Sequence, residues 1–131
     1  MNQDKAEDIG KLILRLTLGI LILLHGIAKL RGGIDGIQGM LEGAGLPGFF
    51  AYAVYLGEVL GPLLLIVGFY ARIGAALIAL NMIVAIALAH AGEVMLLGPN
   101  GGWAIELQAM FLFTAIALVL TGPGRIGLNT K

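Results

Sequence analysis

Four side chains that can exchange protons interrupt the apolar stretches of this sequence. They are His25, Glu58, His90 and Glu106, and each lies within or beside a run of mostly aliphatic residues. An ionisable group facing lipid costs about 2.5–3.5 kcal/mol or more, so such groups usually face other helices and mark functional sites. Histidines and carboxylates are also the common catalysts of proton transfer. We therefore predict that these four residues are catalytic and converge inside one helical bundle.

Three basic side chains accompany them. Arg15 and Lys29 lie on the same predicted helical face as His25, because a helix rotates by about 100° per residue. Arg72 opens the third apolar run and is predicted to share a face with His90. We predict that Lys29, Arg15 and Arg72 bind substrate. The alternative for both arginines is that they only extend to the membrane interface and set the topology.

Glu58 is the strongest candidate of the set. Deep in an apolar run, it must be either protonated or paired with Lys29, His25 or Arg15. Either state makes it the residue best placed to exchange a proton. The alternative is that a buried ion pair here only fixes the register of the helices. Asn81, in the third run, is predicted to lie on the opposite face and outside the site.

The composition defines the class of protein. Of 131 residues, 59% are hydrophobic and 12% are charged, and the mean hydropathy is +0.97; these values are typical of an integral membrane protein. Eight basic and eight acidic residues cancel, which gives no electrostatic basis for binding nucleic acid. The chain has no cysteine, which excludes thiolate metal sites, iron–sulfur clusters and thiol redox chemistry within it.

Four apolar runs predict an all-α fold, a four-helix transmembrane bundle that forms a single domain over residues 1–131. The spans are predicted at about residues 12–30, 49–70, 72–91 and 103–121, with a short amphipathic helix at the interface between the first two. Gly57, Gly61 and Gly68 are predicted to form a packing face inside the bundle. Assembly into an oligomer is also compatible with this pattern.

The basic residues predict the orientation. Six of them fall on the side of the N-terminus, and two, Lys29 and Arg31, fall on the other side. Positively charged segments favour the cytoplasmic side of a membrane. We therefore predict a multi-pass protein of the plasma membrane with both termini in the cytoplasm.

These residues are compatible with three functions. In the first, the bundle holds a quinone or quinol, a histidine bonds its oxygen, and Glu58 or Glu106 moves the proton. In the second, His25 and His90 ligate haem, or Glu58 and Glu106 complete a metal site, although the Glu-x-x-His pair of di-metal bundles is absent. In the third, the protein is a non-enzymatic membrane anchor or a carrier of a small molecule.

An ordered set of short motifs resembles the DoxX family of small membrane proteins. The set is R…HGxxK in the first span, GLP in the following loop, ExxG in the second span, R…H bracketing the third, Glu106 in the fourth, and a terminal GPGR. The resemblance covers nearly the whole chain. Its specificity comes from the order and spacing of the motifs, since each of them alone occurs by chance.

The resemblance implies a four-helix bundle that serves thiosulfate- or quinol-oxidising respiratory enzymes, or the detoxification of sulfur and oxygen species. It favours the quinone-linked function among the three. Because the chain has no evident flavin or nicotinamide site, electrons are expected from a soluble or membrane-bound oxidoreductase partner or from a soluble substrate. The family usually continues GPGR with a serine and an aspartate, where this chain has Gly127 and Asn129. This departure argues against a role for a carboxylate in the tail.

Overall fold

The computed structural model describes residues 1–131, and every regular element in it is helical. The α-helices are α1 (Gln3–Gly32), α2 (Asp35–Gly43), α3 (Gly61–Val67), α4 (Ala71–Ala89) and α5 (Glu106–Thr121). Two 3₁₀ helices cover Gly48–Ala53 and Ala91–Glu93, and a π-helix covers Leu56–Leu60. The predicted all-α class is confirmed, and α2 is the predicted short helix between the first and second spans.

Three stretches are long and apolar enough to cross a membrane, namely Gln3–Gly32, Gly48–Val67 and Ala71–Ala89. The fourth, α5, is apolar but has 16 residues, or about 24 Å of helix. Its predicted start at Trp103 is wrong. The Trp103 indole N–H instead donates to the Val94 carbonyl at 2.6 Å, and this contact holds the residues before Glu106 in a loop.

The second span is a broken helix rather than one continuous helix. Proline at position 62 has no amide proton to give to the carbonyl of Glu58, which an α-helix would require. The chain accommodates this with the π turn, in which the Gly61 amide donates to Leu56. The irregular segment therefore comes directly at Glu58. Local π geometry is frequent at functional sites.

Glycines bring the helices of the bundle close together. A Cβ on Gly26 of α1 would overlap the Glu58 carbonyl oxygen, so the two backbones touch there. A Cβ on Gly74 of α4 would lie 2.6 Å from the Gly61 carbonyl oxygen, and one on Gly61 would lie 2.9 Å from that of Gly74. The prediction that glycines of the second span pack inside the bundle is confirmed for Gly57 and Gly61. Small residues allow this close approach of membrane helices.

The buried centre of the bundle is entirely apolar. Eleven buried residues from α1, α3, α4 and α5 form one cluster, and the partly buried Leu112 and Val119 pack against it. Ile22, Leu65 and Ile78 are fully buried within it. We call this cluster the apolar layer; its members are Leu18, Ile22, Leu65, Ala71, Ala75, Ile78, Ala79, Met82, Phe111, Ala115 and Leu118.

The face of α4 that enters the bundle differs from the predicted one. The prediction placed Arg72 on the face that carries His90 into the bundle, whereas Arg72 is exposed. The helix instead buries the face that carries Gly74 and Ile78. The close contact between Gly74 and Gly61 sets this rotation, and α4 is too uniformly apolar for its sequence to reveal it.

Arg15 ties the C-terminal tail to the bundle. Its side chain donates to the Leu65 carbonyl at 2.9 Å, to the Pro123 carbonyl at 3.1 Å, and to the Ile126 carbonyl. The Leu65 carbonyl is available because the Phe69 amide bonds Leu64 instead at the end of α3. Arg15 is 1% exposed, so its guanidinium is enclosed by the chain and bonded to backbone carbonyls.

The tail is docked on the corner between α3 and α4. The Leu128 and Asn129 amides donate to the Val67 and Gly68 carbonyls. The Asn129 side-chain oxygen accepts the Tyr70 amide at 3.0 Å. A neutral amide therefore supplies the acceptor at the position where the resembling family has a carboxylate.

The two ends of the chain meet at one end of the bundle. The Arg125 side chain lies 2.7 Å from the Asp8 carboxylate, before the apolar part of α1 begins. This hydrogen bond holds the pKa of Asp8 below its ordinary value. We call this end of the bundle the terminal face. The end at which α1 finishes at Gly32 is the opposite face.

Replacing Gly26 with alanine is expected to destabilise the bundle. The new Cβ would overlap backbone atoms of Glu58, which cannot move as a flexible side chain can. Overpacking of this kind costs about 1–3 kcal/mol or more. Gly10→Ala is the matched control on the same helix, because nothing lies within 4 Å of its Cβ. The control should be stabilised by up to about 1 kcal/mol through helix propensity. Thermal unfolding in detergent measures both, and equal effects would contradict the packing described.

Arg15→Lys is expected to loosen the tail. A lysine cannot reproduce the planar guanidinium that serves three carbonyls, and a hydrogen bond to a charged group contributes about 1.5–3 kcal/mol. Hydrogen exchange at the Leu128 and Asn129 amides should accelerate, together with lower thermal stability. Arg31→Lys, at an exposed position, is the control and should change neither. Unaltered exchange in Arg15→Lys would show that the tail is held without Arg15.

Candidate functional site

A cavity of about 520 Å³ opens among the helices. Of the 26 residues that line it, 19 are hydrophobic, and its volume falls in the range of roughly 300–1,000 Å³ that is usual for ligand pockets. Its walls come from α1, α2, the part of the second span up to Glu58, α4 and α5. Six polar side chains also reach it: His25, Lys29, Glu58, Asn81, His90 and Gln108.

Glu58 is the most deeply buried of these polar groups. Its side chain is 4% exposed and forms an ion pair with the Lys29 ammonium, which is 29% exposed. Of the three partners that the sequence allowed, the structure selects Lys29. The pair joins α1 to the second span at the position where Gly26 lets the two backbones touch. A lone buried charge is strongly destabilising, so each member of the pair requires the other.

Asn81 completes the coordination of Glu58, which corrects the prediction that it lies outside the site. Its amide donates to the second carboxylate oxygen at 2.8 Å. Gly57 makes this possible, because a Cβ there would overlap the Asn81 side chain. The physical reason for the wrong prediction is the rotation of α4. The carboxylate is thus held from two sides, by an ammonium and by an amide.

His25 lies at the wall of the cavity with much of its ring exposed. The Nδ1 atom is 3.0 Å from the Leu21 carbonyl one turn earlier, which favours a proton on that nitrogen. The ring packs edge-on against Phe111, with centroids 5.7 Å apart. These contacts fix the orientation of the ring and leave Nε2 available to a ligand.

His90 caps the end of α4 and reaches the same cavity from another side. Its Nε2 atom is 3.4 Å from the Gln108 amide nitrogen. Its Nδ1 atom is 3.5 Å from the Glu93 carboxylate and makes no hydrogen bond. His90 therefore has free hydrogen-bonding capacity at the cavity, and Gln108 is its nearest polar neighbour there.

Glu106 is not brought to the cavity. Because α5 begins at this residue, Glu106 occupies the first turn of the helix instead of lying one turn inside it. Its carboxylate lies over Gly102, at 2.5 Å from where a Cβ would stand. The residue is exposed. The predicted convergence therefore holds for His25, Glu58 and His90 as lining residues of one cavity, and it is wrong for Glu106.

Arg15 and Arg72 also lie outside the cavity, at the terminal face. The Arg15 guanidinium donates its hydrogen bonds to backbone carbonyls, as described above. The Arg72 side chain lies against Gly122 and is exposed, and its backbone amide bonds the Lys131 carbonyl at 3.1 Å. Neither guanidinium is placed to bind a substrate in the cavity. Lys29 is the only member of the predicted substrate-binding trio that lines it.

The side chains do not form a metal cluster. No group of three or more histidine, aspartate or glutamate residues is positioned to hold a metal ion. Glu58 has both carboxylate oxygens engaged by Lys29 and Asn81. Glu106 does not line the cavity, so the two carboxylates do not form a shared site. The arrangement is suited to a different chemistry. It can hold an apolar ring, bond polar oxygens on that ring, and accept or donate a proton at Glu58.

Sequence reasoning missed two residues of the cavity, Asn81 and Gln108. Asn81 carried a signal, since it is the only amide in the apolar run of α4, and a polar group within a membrane helix is a site candidate by default. Gln108 lies two residues from Glu106, and the prediction selected the charged residue instead. Because α5 begins at Glu106, Gln108 reaches the cavity and Glu106 does not.

The comparisons with known proteins agree with these features. The model of the DoxX family matches residues 10–91. A protein of Bacillus subtilis (strain 168) named "Putative oxidoreductase CatD" is 36% identical over 126 residues, which cover 96% of this chain and 89% of that protein.

A second relative matches about half of the chain. "Inner membrane protein YqjF" of Escherichia coli (strain K12) is 38% identical over 68 residues, which cover 52% of each chain. No solved structure matches. With the family model matched over residues 10–91 and a relative aligned along almost its whole length, the chain belongs to the DoxX family of membrane proteins.

Proposed function

We propose that this protein is a subunit of a quinone-linked membrane oxidoreductase and that the cavity binds the quinone or quinol head group. The observation that carries the proposal is the position of Glu58. An ionisable carboxylate, held by Lys29 and Asn81, forms part of the wall of a mostly apolar cavity. A membrane quinone matches a mostly apolar cavity with a few polar groups, because it has an apolar ring and tail and two polar oxygens.

The dimensions and lining of the cavity support this ligand. A volume of about 520 Å³ suffices for a ring with part of an isoprenoid chain. Leu80, Val84 and Leu88 of α4 and Met40 of α2 supply apolar wall. Burial of apolar surface contributes about 25 cal/mol per Å², so this wall supplies affinity while the few polar groups supply orientation.

Each polar residue then has a distinct role. Glu58 accepts the proton of a hydroxyl group or returns it to an oxygen. Lys29 balances the charge of the carboxylate, and Asn81 fixes its orientation. His25 accepts a hydrogen bond from a ligand hydroxyl through Nε2, and His90 bonds a ligand oxygen from another side of the cavity. Oxidation of a quinol releases two protons with two electrons, so a proton acceptor within the membrane-spanning part of the protein is required.

The name of the Bacillus subtilis relative is in line with a redox function. That protein is named as an oxidoreductase, and its alignment spans the whole site of this chain. The electrons of the reaction are exchanged with an oxidoreductase partner or a soluble sulfur or oxygen species. A haem ligated by His25 and His90 is a separate proposal, and a colourless purified protein would remove it.

The protein is further proposed to lie in the plasma membrane with the terminal face in the cytoplasm. Single cysteines at Gln3 and Asn100 report on the two faces, and the chain has no other cysteine to interfere. In intact cells, a membrane-impermeant maleimide should label Asn100→Cys, whereas Gln3→Cys should react only after permeabilisation. Labelling of Gln3→Cys in intact cells would reverse the proposed orientation.

The substitution Glu58→Gln tests the chemistry directly. Glutamine retains the shape and can still bond Asn81, but it carries no transferable carboxyl proton. Loss of a general base typically slows a reaction by 10²–10⁴-fold, so turnover of quinol in membranes containing the natural partner should fall by at least about 10²-fold. Quinone binding, followed by quenching of the single Trp103 or by extraction, should persist.

Glu106→Gln is the matched control, because the structure places this carboxylate outside the cavity. It should retain nearly full turnover. Full activity of Glu58→Gln would remove Glu58 from the mechanism. Wild-type protein that neither binds nor turns over quinone would leave the anchor or carrier function in place of the proposed one.

A further inference from the structure

We propose that protons reach and leave the Glu58 site only from the opposite face, so that the reaction exchanges its protons on one side of the membrane. The inference rests on the proposed function, since it concerns the protons of that same site. Its basis is the distribution of polar groups along the bundle. They form two separate groups with apolar side chains between them.

The two polar groups lie far apart along α1. Arg15 belongs to the terminal face, and Lys29 belongs to the cavity, three residues before α1 ends at Gly32. Lys29 is fourteen positions after Arg15, or about 21 Å along the helix axis at roughly 1.5 Å per residue. The Arg15 guanidinium bonds the Leu65 carbonyl, seven positions after Glu58, which leaves about 10 Å of helix between this bond and the Glu58 backbone. A hydrogen bond spans about 3 Å, so a proton could cross this distance only along a chain of intermediate polar groups or waters.

The apolar layer fills the interval between the two groups. Leu18 and Ile22 of α1 occupy it, and they are 3% and 0% exposed. Leu65, Ile78 and Ala115 face them from the other helices and are each 0% exposed. The eleven residues of the layer are all hydrophobic, and the polar side chains next to them in sequence are the exposed Thr17 and the half-buried Thr114. A buried water needs two to four polar partners, and this layer offers none.

The opposite direction is open. The Lys29 ammonium contacts the buried carboxylate of Glu58, is itself 29% exposed, and belongs to the last turn of α1 before Gly32. His25 and His90 also line the cavity and lie on this side of the layer. Glu93, near His90, is on this side as well. All titratable groups around the site therefore lie on the same side of the layer as the opposite face, and those of the terminal face lie beyond the layer.

The proton transfer can be written in balance. A ligand O–H bond breaks and an O–H bond forms on Glu58, which neutralises the carboxylate. Lys29, now without its counter-charge, releases one proton to water at the opposite face. The neutral amine then takes the proton from Glu58, and the ion pair is restored. One proton has left the ligand and one has appeared at the opposite face.

Cysteine accessibility tests the route without any need for turnover. The chain has no native cysteine, so Asn81→Cys and Glu58→Cys each introduce a single thiol. A membrane-impermeant methanethiosulfonate, applied to vesicles of known orientation, should modify both from the opposite face at least tenfold faster than from the terminal face. Ile78→Cys, in the apolar layer, should react from neither face. Gln3→Cys should react from the terminal face alone.

Asn81→Cys keeps the Lys29–Glu58 ion pair, so it reports on the route even where Glu58→Cys fails to fold. Modification of Asn81→Cys from the terminal face, or from neither face, would overturn the inference. A pH indicator enclosed in vesicles provides a second measurement during quinol turnover by the wild type with its partner. Protons should appear in the compartment that contacts the opposite face, and their appearance in the other compartment would also overturn it.

Failure of this inference and failure of the proposed function give different results. Cysteines accessible from the opposite face in a protein that does not turn over quinol would retain the proton route and reject the quinone chemistry. Quinol turnover with protons released at the terminal face would retain the chemistry and reject the route.

Discussion

The ion pair between Glu58 and Lys29 is the constraint on which the rest of the structure depends. A carboxylate in an apolar bundle requires a compensating charge and further hydrogen bonds, because an uncompensated one costs several kcal/mol. Lys29 can supply the charge only if α1 touches the second span, which Gly26 permits. Asn81 can supply the hydrogen bond only if α4 approaches Glu58, which Gly57 permits. The packing of three spans is therefore adapted to one polar side chain.

Arg15 has a comparable position at the other end of the bundle but a different role. Its partners are backbone carbonyls of α3 and of the tail, and these cannot change their protonation. A guanidinium also remains protonated throughout the ordinary pH range. Arg15 is thus suited to permanent structure, whereas the lysine and carboxylate at the opposite face are suited to proton exchange. The apolar layer lies between Arg15 and the ion pair of Lys29 and Glu58.

Much of the fold and part of the site could be predicted from the sequence. Ionisable residues in apolar runs identified the cavity residues His25, Lys29, Glu58 and His90, because their desolvation cost requires them to face other helices. The sequence did not fix the rotation of α4, which is apolar on all sides and buries the face that meets Gly61. Asn81 was misplaced for that reason. Glu106 was misplaced because the loop in which Trp103 bonds Val94, nine residues earlier, extends to Ile105, so that α5 begins only at Glu106.

The irregular second span gives a physical reason for the position of the site. Pro62 prevents an α-helical hydrogen bond to the Glu58 carbonyl, and the resulting π turn widens the helix at the residue whose side chain must reach two neighbours. A regular helix would direct Glu58 by its position on one face alone, toward either α1 or α4. The widened turn lets its carboxylate meet Lys29 of α1 with one oxygen and Asn81 of α4 with the other. The proline that breaks the helix therefore contributes to the geometry of the Glu58 carboxylate, although it does not line the cavity.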